Sequence, residues 1–277
     1  MTLKNHISKT LGPKAADLVT TLYERGQSIF RLKDVEKILH FDQNASINFV
    51  RKLVNRGIAT RLKPGLFILV PFELGKERDY LGEPSIVARE IVAGKGYCLS
   101  HSTAMEIHQM VTQPQLVIFA SVLKPRRPIQ VLGTQFQFIH TPKKYFFGTM
   151  DHWVTKQEKI QVSDLEKTVI DGLKQPEYCG GLTEVAKGLW MQGQRLNHER
   201  LMEYAQKTEV GAVIRRLGFL LELYQIGQDK DLEALRKILT DTYIRLDPIL
   251  PAEGNFMRRW RLQLNVSQEE LLAVVRT

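Results

Sequence analysis

Residues 44–71 read NASINFVRKLVNRGIATRLKPGLFILVP, and the reading of this stretch decides how the rest of the chain is organised. Asn44 to Arg56 predicts a helix, with Ile47, Val50, Leu53 and Val54 at the near-3.6 spacing of a one-sided apolar stripe. Asn44, Ser46, Asn48, Arg51, Lys52 and Arg56 then fall largely on the other side and carry amide, hydroxyl and cationic groups. Gly57 suits a left-handed helix stop. An extended run follows from Ile58 to Leu62, and then Lys63-Pro64-Gly65-Leu66. Proline at the second position and glycine at the third suit a type II turn, since proline pre-sets φ and glycine accepts a positive one. Leu66 to Val70 is a second apolar strand.

The residues upstream complete a pattern. Lys14–Arg25 has Ala15, Leu18, Val19, Leu22 and Tyr23 at helical spacing, Ser28–Phe30 suits a short strand, and Lys33–His40 is a second helix. Helix, strand, helix, turn, helix, strand, basic turn, strand is the order of a winged helix-turn-helix. In such a module the third helix presents its exposed face to the major groove and the wing contacts the backbone or minor groove. Arg and Lys read guanine edges, Asn reads adenine, and Ser takes either role. Ser46, Asn48, Arg51 and Lys52 are therefore the candidates for the groove, and Asn44, at the start of the same helix, joins the DNA-binding set. Arg61 and Lys63, with Gly65 at the turn, are the candidates for phosphate. The competing reading is an ordinary helix beside a hairpin, its polar face merely wet.

Charge agrees with a polyanionic partner. The 277 residues carry a net charge of +9, more densely in the first 80 residues than in the remainder. Phosphate attraction supplies most of the non-specific affinity of proteins for DNA. No apolar run approaches the roughly 20 residues that span a bilayer, and MTLKNHISKT lacks the apolar core of a signal peptide. The two cysteines, Cys98 and Cys179, fit no metal or redox spacing and read as small core hydrophobes of a cytoplasmic protein.

Residues 72–84 form a charged, glycine-containing connector. A second domain follows, and we place the boundary so that residues 1–80 and 81–277 are the two domains. Its first helix is SIVAREIVAG, ended by Gly94. Gly96–Ser100 predicts a strand entering a helix at Ser100 or Ser102. The Ser100/His101/Ser102/His108 grouping invites a hydrolase reading, but no G-x-S-x-G elbow surrounds either serine and no HExxH is present. From Gln115 to Val162 the pattern is extended, with strands at 116–120, 129–131, 134–140, 153–155 and 159–162. Two basic clusters fall in its loops. Lys124, Arg126 and Arg127, and Lys143 and Lys144 beside Tyr145, Phe146 and Phe147, form a candidate second nucleic-acid contact, since cations interleaved with aromatics suit phosphate and base stacking. A protein partner or a solvated loop is the alternative.

Ser163-Asp164-Leu165-Glu166 predicts a capping box. Asp164 and Glu166 are two apart and do not share a helix face, which argues against a paired metal-binding role. Helices are predicted at 182–192, 198–206, 210–224 and 232–239, a last strand at 258–262, and a C-terminal helix capped by Ser267 and Glu270. The fold class is α+β: an N-terminal winged helix followed by a larger mixed α/β domain with a helical C-terminal part. No catalytic residue, cofactor or metal is expected, and no glycine-rich phosphate loop is present.

Taken together these residues resemble the AbiEi-type antitoxins of bacterial type IV toxin–antitoxin and phage-defence (abortive infection) systems. RKLVNRGIATRLKPGLFILVP is similar to the family's recognition helix and wing, with Phe67 where tyrosine is common. CLSHSTAMEIH is similar to the motif that opens its second domain, and VSDLEKTVIDGL and RRLGFLLE to two later helical signatures. The resemblance covers residues 15–262. It implies a transcriptional repressor that binds inverted repeats of double-stranded DNA in its own promoter and counters a nucleotidyltransferase-like toxin, without implying a stable toxin complex. The alternatives are a winged-helix-guided DNA-processing hydrolase and a stand-alone ligand-responsive regulator.

Overall fold

The computed structural model describes residues 9–94, 96–113 and 116–275. Most of the segment read for a leader, residues 1–8, and Gln115, where the extended region was expected to begin, lie outside the described residues. The fold is mixed α+β. Its sheets are a three-stranded β1-β3-β2 sheet, a three-stranded β10-β12-β11 sheet and a six-stranded sheet in the order β6-β7-β5-β4-β9-β8. The chain divides into two compact units.

The first unit holds the described residues up to Gly94, with 129–136 and 153–160. It opens with α1 (Pro13–Glu24), β1 (Ile29–Arg31), α2 (Leu32–Leu39) and α3 (Gln43–Asn55). The hairpin β2 (Ala59–Lys63) and β3 (Leu66–Leu69) follows, and β3 pairs antiparallel with both β1 and β2. The apolar stripes seen in the sequence form one core: Leu18, Val19 and Leu22 of α1, Val35 of α2, Val50 and Leu53 of α3, Phe30, and Phe67 and Leu69 of β3. Burying each large apolar side chain contributes about 1.5–3 kcal/mol. Phe30 and Phe67 stack at 5.7 Å between centroids, which sets β1 against β3.

The charged stretch after β3 is bound to this unit rather than free. The Thr60 hydroxyl donates to the Arg78 carbonyl at 3.0 Å and accepts from the Tyr80 amide at 3.0 Å. The Arg78 guanidinium donates to the Asn55 carbonyl at the end of α3. The helix α4 (Pro84–Val92) belongs to the same compact unit, so that unit runs past the boundary expected near residue 80. The helix stops at Ala93, which takes the left-handed conformation (φ 54°) where Gly94 was expected to do so. Arg31 of β1 donates to the Glu90 carboxylate at 2.9 Å and to the Glu90 carbonyl at 2.8 Å, and Arg89 pairs with Glu158 at 2.9 Å. The hairpin β6 (Ile129–Val131) to β7 (Thr134–His140) turns within this unit's residues.

The second unit begins with β4 (Tyr97–Leu99), α5 (His101–Ile107) and β5 (Val117–Val122). β4 pairs antiparallel with β5 and parallel with β9 (Lys159–Ser163) through Leu99 and Val162. β8 covers Thr149–Trp153, earlier than the strand expected at 153–155. Helices α6 (Leu165–Lys174), α7 (Leu182–Met191), α8 (His198–Lys207), α9 (Gly211–Leu223) and α10 (Asp229–Lys237) follow. The chain ends with β10 (Ile244–Arg245), β11 (Asn255–Met257), β12 (Leu262–Leu264) and α11 (Gln268–Ala273). The last sheet shifts the strand expected at 258–262: Trp260 lies before β12, fully buried. Among the described residues, no helix is long and apolar enough to cross a membrane.

Two motif arginines hold the second unit together. The Arg216 guanidinium is buried and donates to the carbonyls of Leu246 (2.8 Å), Leu173 (2.6 Å) and Arg245 (3.3 Å). Burial pushes its pKa down to about 10, so it remains charged at neutral pH. Arg215 donates to Gly211, Thr240 and Thr242 carbonyls. Gly218, on the same helix, faces Trp260: a Cβ there would lie 2.0 Å from the indole Cζ3. The Trp260 Nε1 donates to the Glu222 carboxylate.

Candidate nucleic-acid interface

Helix α3 is built to show one face. Asp42 caps it by accepting from the Ala45 amide at 2.7 Å, a bond that satisfies one of the free amides of the first turn. Gly57, at φ 69°, lets the chain leave the helix. Val50 and Leu53 are buried, and Phe49 and Val54 pack partly against the same core. The outward stripe consists of Asn44, Ile47, Asn48, Arg51, Lys52 and Asn55, all exposed. Their spacing of three and four places them on one side of the helix.

Two sequence expectations for this helix are corrected. Ser46 is fully buried, and its hydroxyl has no hydrogen-bond partner, so it offers nothing to a groove. Ile47, counted in the sequence as a core position, is 44% exposed and sits at the edge of the polar stripe. The two have different causes. At 100° per residue Ser46 lies four residues before Val50 and seven before Leu53, on the same face as both, so it turns inward although its side chain is polar. Ile47 lies at the border between that face and the exposed stripe, next to the half-buried Val54, where apolar character alone does not decide which way a side chain turns. Asn55 belongs to the exposed stripe and was not singled out in the sequence.

On the hairpin, Gly65 takes φ 76°, in line with the expected turn, and a Cβ there would meet open space. Arg61 points to solvent from β2 between the buried Thr60 and Leu62. Lys63 is engaged elsewhere: its ammonium donates to the Ile91 carbonyl at 2.6 Å, in the last turn of α4. That is a favourable site for a cation, near the negative end of a helix. It is a poor position from which to reach phosphate, and Lys63 drops from the list of phosphate contacts.

The second set of cations lies in the other unit. Lys124, Arg126, Arg127, Lys143 and Lys144 are exposed. Lys144 pairs with Glu209 at 3.2 Å and lies over the Tyr145 ring. The aromatics beside it are half-buried rather than open for base stacking. Phe147 packs against Tyr204 at 5.0 Å and receives Lys167 and Lys207 over its ring. Four further arginine-rich positions, missed in the sequence, line an open cleft of about 490 Å3: Arg236, Arg258, Arg259 and Arg261. Two of these are neutralised locally, Arg259 by Glu222 at 2.6 Å and Arg261 by Asp241 at 2.9 Å.

The serine–histidine grouping is interior. His101 Nδ1 lies 2.9 Å from the Ser100 hydroxyl, which accepts from Ser121 at 3.0 Å. Ser100 is the residue before α5 but makes no capping bond with its side chain. His101 takes φ 54° and is buried, and burial pushes its pKa down to about 4, so the ring is neutral at pH 7. His108 Nε2 lies 2.7 Å from the Ser163 carbonyl, and its pKa is lowered mainly by burial. Cys98 is buried and its thiol is pushed up to about 12 by desolvation.

The carboxylates near α6 are taken up in packing. The predicted capping box shifts by one residue: Asp164 caps the helix through the Lys167 amide at 2.8 Å, while Ser163 belongs to β9 and donates to Leu99. Glu166 accepts from the Asn197 amide at 2.7 Å, and Asp171 pairs with Lys167. Among the described residues, no group of three or more His, Cys, Asp or Glu side chains is arranged to hold a metal ion.

No family model matches the chain, and no curated protein matches it. Among solved structures, the chain is similar to the crystal structure of the RV2827C protein from Mycobacterium tuberculosis. The TM-score is 0.73 at 15% sequence identity, over 98% of this chain and 97% of that one. The likeness is one of fold, carried over nearly the full length of both chains.

Proposed function

We propose that this protein is a DNA-binding transcriptional repressor, with an N-terminal winged helix-turn-helix that inserts α3 into the major groove. The observation that carries the reading is the exposed stripe of α3. Asn44, Asn48, Arg51 and Lys52 share one helix face with donors and acceptors that match base edges. Arg56 and Arg61 flank it with exposed cations suited to phosphate. The antitoxin role rests on the sequence resemblance: a repressor of its own promoter, acting on inverted repeats and countering a nucleotidyltransferase-like toxin of a type IV system in the cytoplasm. The exposed Lys124, Arg126, Arg127 and Lys143 are the candidates for a supplementary DNA contact. No catalytic, cofactor or metal role forms part of the reading.

A promoter fusion tests it in cells. The DNA upstream of this gene, placed before a reporter, should be silenced by the wild-type protein supplied in trans and released by Arg51→Ala. Expression that ignores the wild-type protein would defeat the repressor reading. Growth on expressing the neighbouring gene, with and without this protein, then tests the antitoxin part: arrest without it and rescue with it is the expected result.

A further inference from the structure

We infer that Ile47 is a specificity-determining residue that reads the 5-methyl group of thymine in the major groove, so that the site recognised contains an A·T pair under the first half of α3. The inference rests on the DNA-reading proposal above and deepens it. Ile47 is a large β-branched side chain, 44% exposed, on a helix whose other large apolar residues face the core. Its neighbours on the stripe are Asn44 three residues before, Asn48 beside it and Arg51 four residues after, all exposed.

That setting identifies the occupant. A protein partner would need a contiguous apolar patch, because the centre of a protein interface is depleted of charge and buries several side chains. Ile47 offers a single exposed apolar group at the edge of the stripe, flanked on its solvent side by Asn44, Asn48 and Arg51 and large enough to cover one methyl. The exposed charges of α3, its C-terminal end and the hairpin, Arg51, Lys52, Arg56 and Arg61, complement a polyanion. In the major groove thymine is the base that presents a methyl, and apolar side chains are its ordinary contact. Asparagine at the flanking positions pairs bidentately with adenine N6 and N7. An amide and an aliphatic group side by side thus recognise the two bases of A·T pairs.

The test uses duplexes of the DNA immediately upstream of this gene, made with thymidine or with deoxyuridine throughout. The second lacks every 5-methyl group and keeps its base pairing. A scrambled duplex of equal length is made in both forms. The wild-type protein should prefer the thymidine form by about fourfold for each methyl contacted, the factor that burying one methyl-sized group supplies. Ile47→Ala should fall on the thymidine duplex to the wild-type affinity for the deoxyuridine duplex and lose the preference, with scrambled binding unchanged. Because Ile47 is exposed, its melting temperature should match wild type. Equal wild-type binding of the two upstream forms, with the scrambled duplex still rejected, would overturn the Ile47 inference and leave the repressor reading standing. Retention of the full preference by Ile47→Ala would do the same. Equal binding of upstream and scrambled duplexes would overturn both.

Discussion

Arg51 lies at the centre of the exposed stripe of α3, one helical turn beyond Ile47 and beside Lys52. If it reads a guanine edge, Arg51→Ala should weaken operator binding by about 1–3 kcal/mol and relax specificity at one position. Titration against operators altered one base pair at a time is the check, and unchanged affinity would remove Arg51 from the interface. Arg61 and Lys63 separate two effects that charge counting merges. Arg61→Ala should weaken binding to all duplexes alike and lower the salt slope by about 0.9. Lys63→Ala should leave the slope alone, because its ammonium is hydrogen-bonded to Ile91. It should instead lower the stability of the first unit by about 1.5–3 kcal/mol, the range for a hydrogen bond to a charged group. His101 makes a prediction in pH. Its folded pKa of about 4 lies below the usual 6.5, so the unfolded chain binds the proton first as pH falls. The stability it contributes is complete above 6.5 and is lost as pH falls toward 4. Between pH 7 and pH 5 the wild type should therefore lose about 2 kcal/mol more than His101→Asn, a variant that keeps a polar side chain tolerant of positive φ. Urea midpoints at the two pH values measure this, and parallel losses would contradict it.

At the scale of elements, α9 shows how a sequence signature acts. RRLGFLLE reads as a helix with an apolar stripe, and that much was legible. What was not legible is that its two arginines brace backbone carbonyls as far as 25 to 43 residues away in sequence, and that its glycine makes room for Trp260. Such contacts pair residues distant along the chain, and one sequence carries no record of distance. Gly218→Ala should force the indole from its seat and destabilise the second unit by about 1–3 kcal/mol, the usual cost of overpacking. Chemical denaturation followed by tryptophan fluorescence would show it, and a neutral effect would mean that Trp260 has another place to go. The helices and strands up to β3 were read within one or two residues because each shows a strong period and a glycine or turn signal at its end. The misplaced elements have weaker marks. β8 is an edge strand with almost no buried residue, so it lacks the alternation by which strands are recognised. The cap at Asp164 was misassigned by one residue because Ser163 and Asp164 are both good capping residues, and the sheet partner Leu99 claims the serine.

For the molecule as a whole, the α+β class was legible; the small β10-β12-β11 sheet was not, since only one last strand was expected there, and the division into units was only partly so. The connector looked like a linker because it is charged and carries glycines, yet Thr60 and Arg78 fasten it to the first unit. The return of residues 129–136 and 153–160 to that unit has no sequence signal at all, since it depends on which strands meet. Of the candidate interface, the exposed amides and cations of α3 were visible as composition at helical spacing. The burial of Ser46 was implicit in its spacing of four and seven from Val50 and Leu53 but was masked by its polar side chain, whereas the exposure of Ile47 and the diversion of Lys63 needed three-dimensional neighbours. The central claim is that this surface reads a sequence rather than merely attracting phosphate. A salt-titrated binding assay on the DNA upstream of this gene, against a scrambled duplex of equal length, tests it most directly. A sequence-reading surface gives a preference of order 10³ or more for the upstream duplex at physiological salt. Equal, weak and steeply salt-sensitive binding to both duplexes would contradict it, and would make the basic face of α3 a generic one.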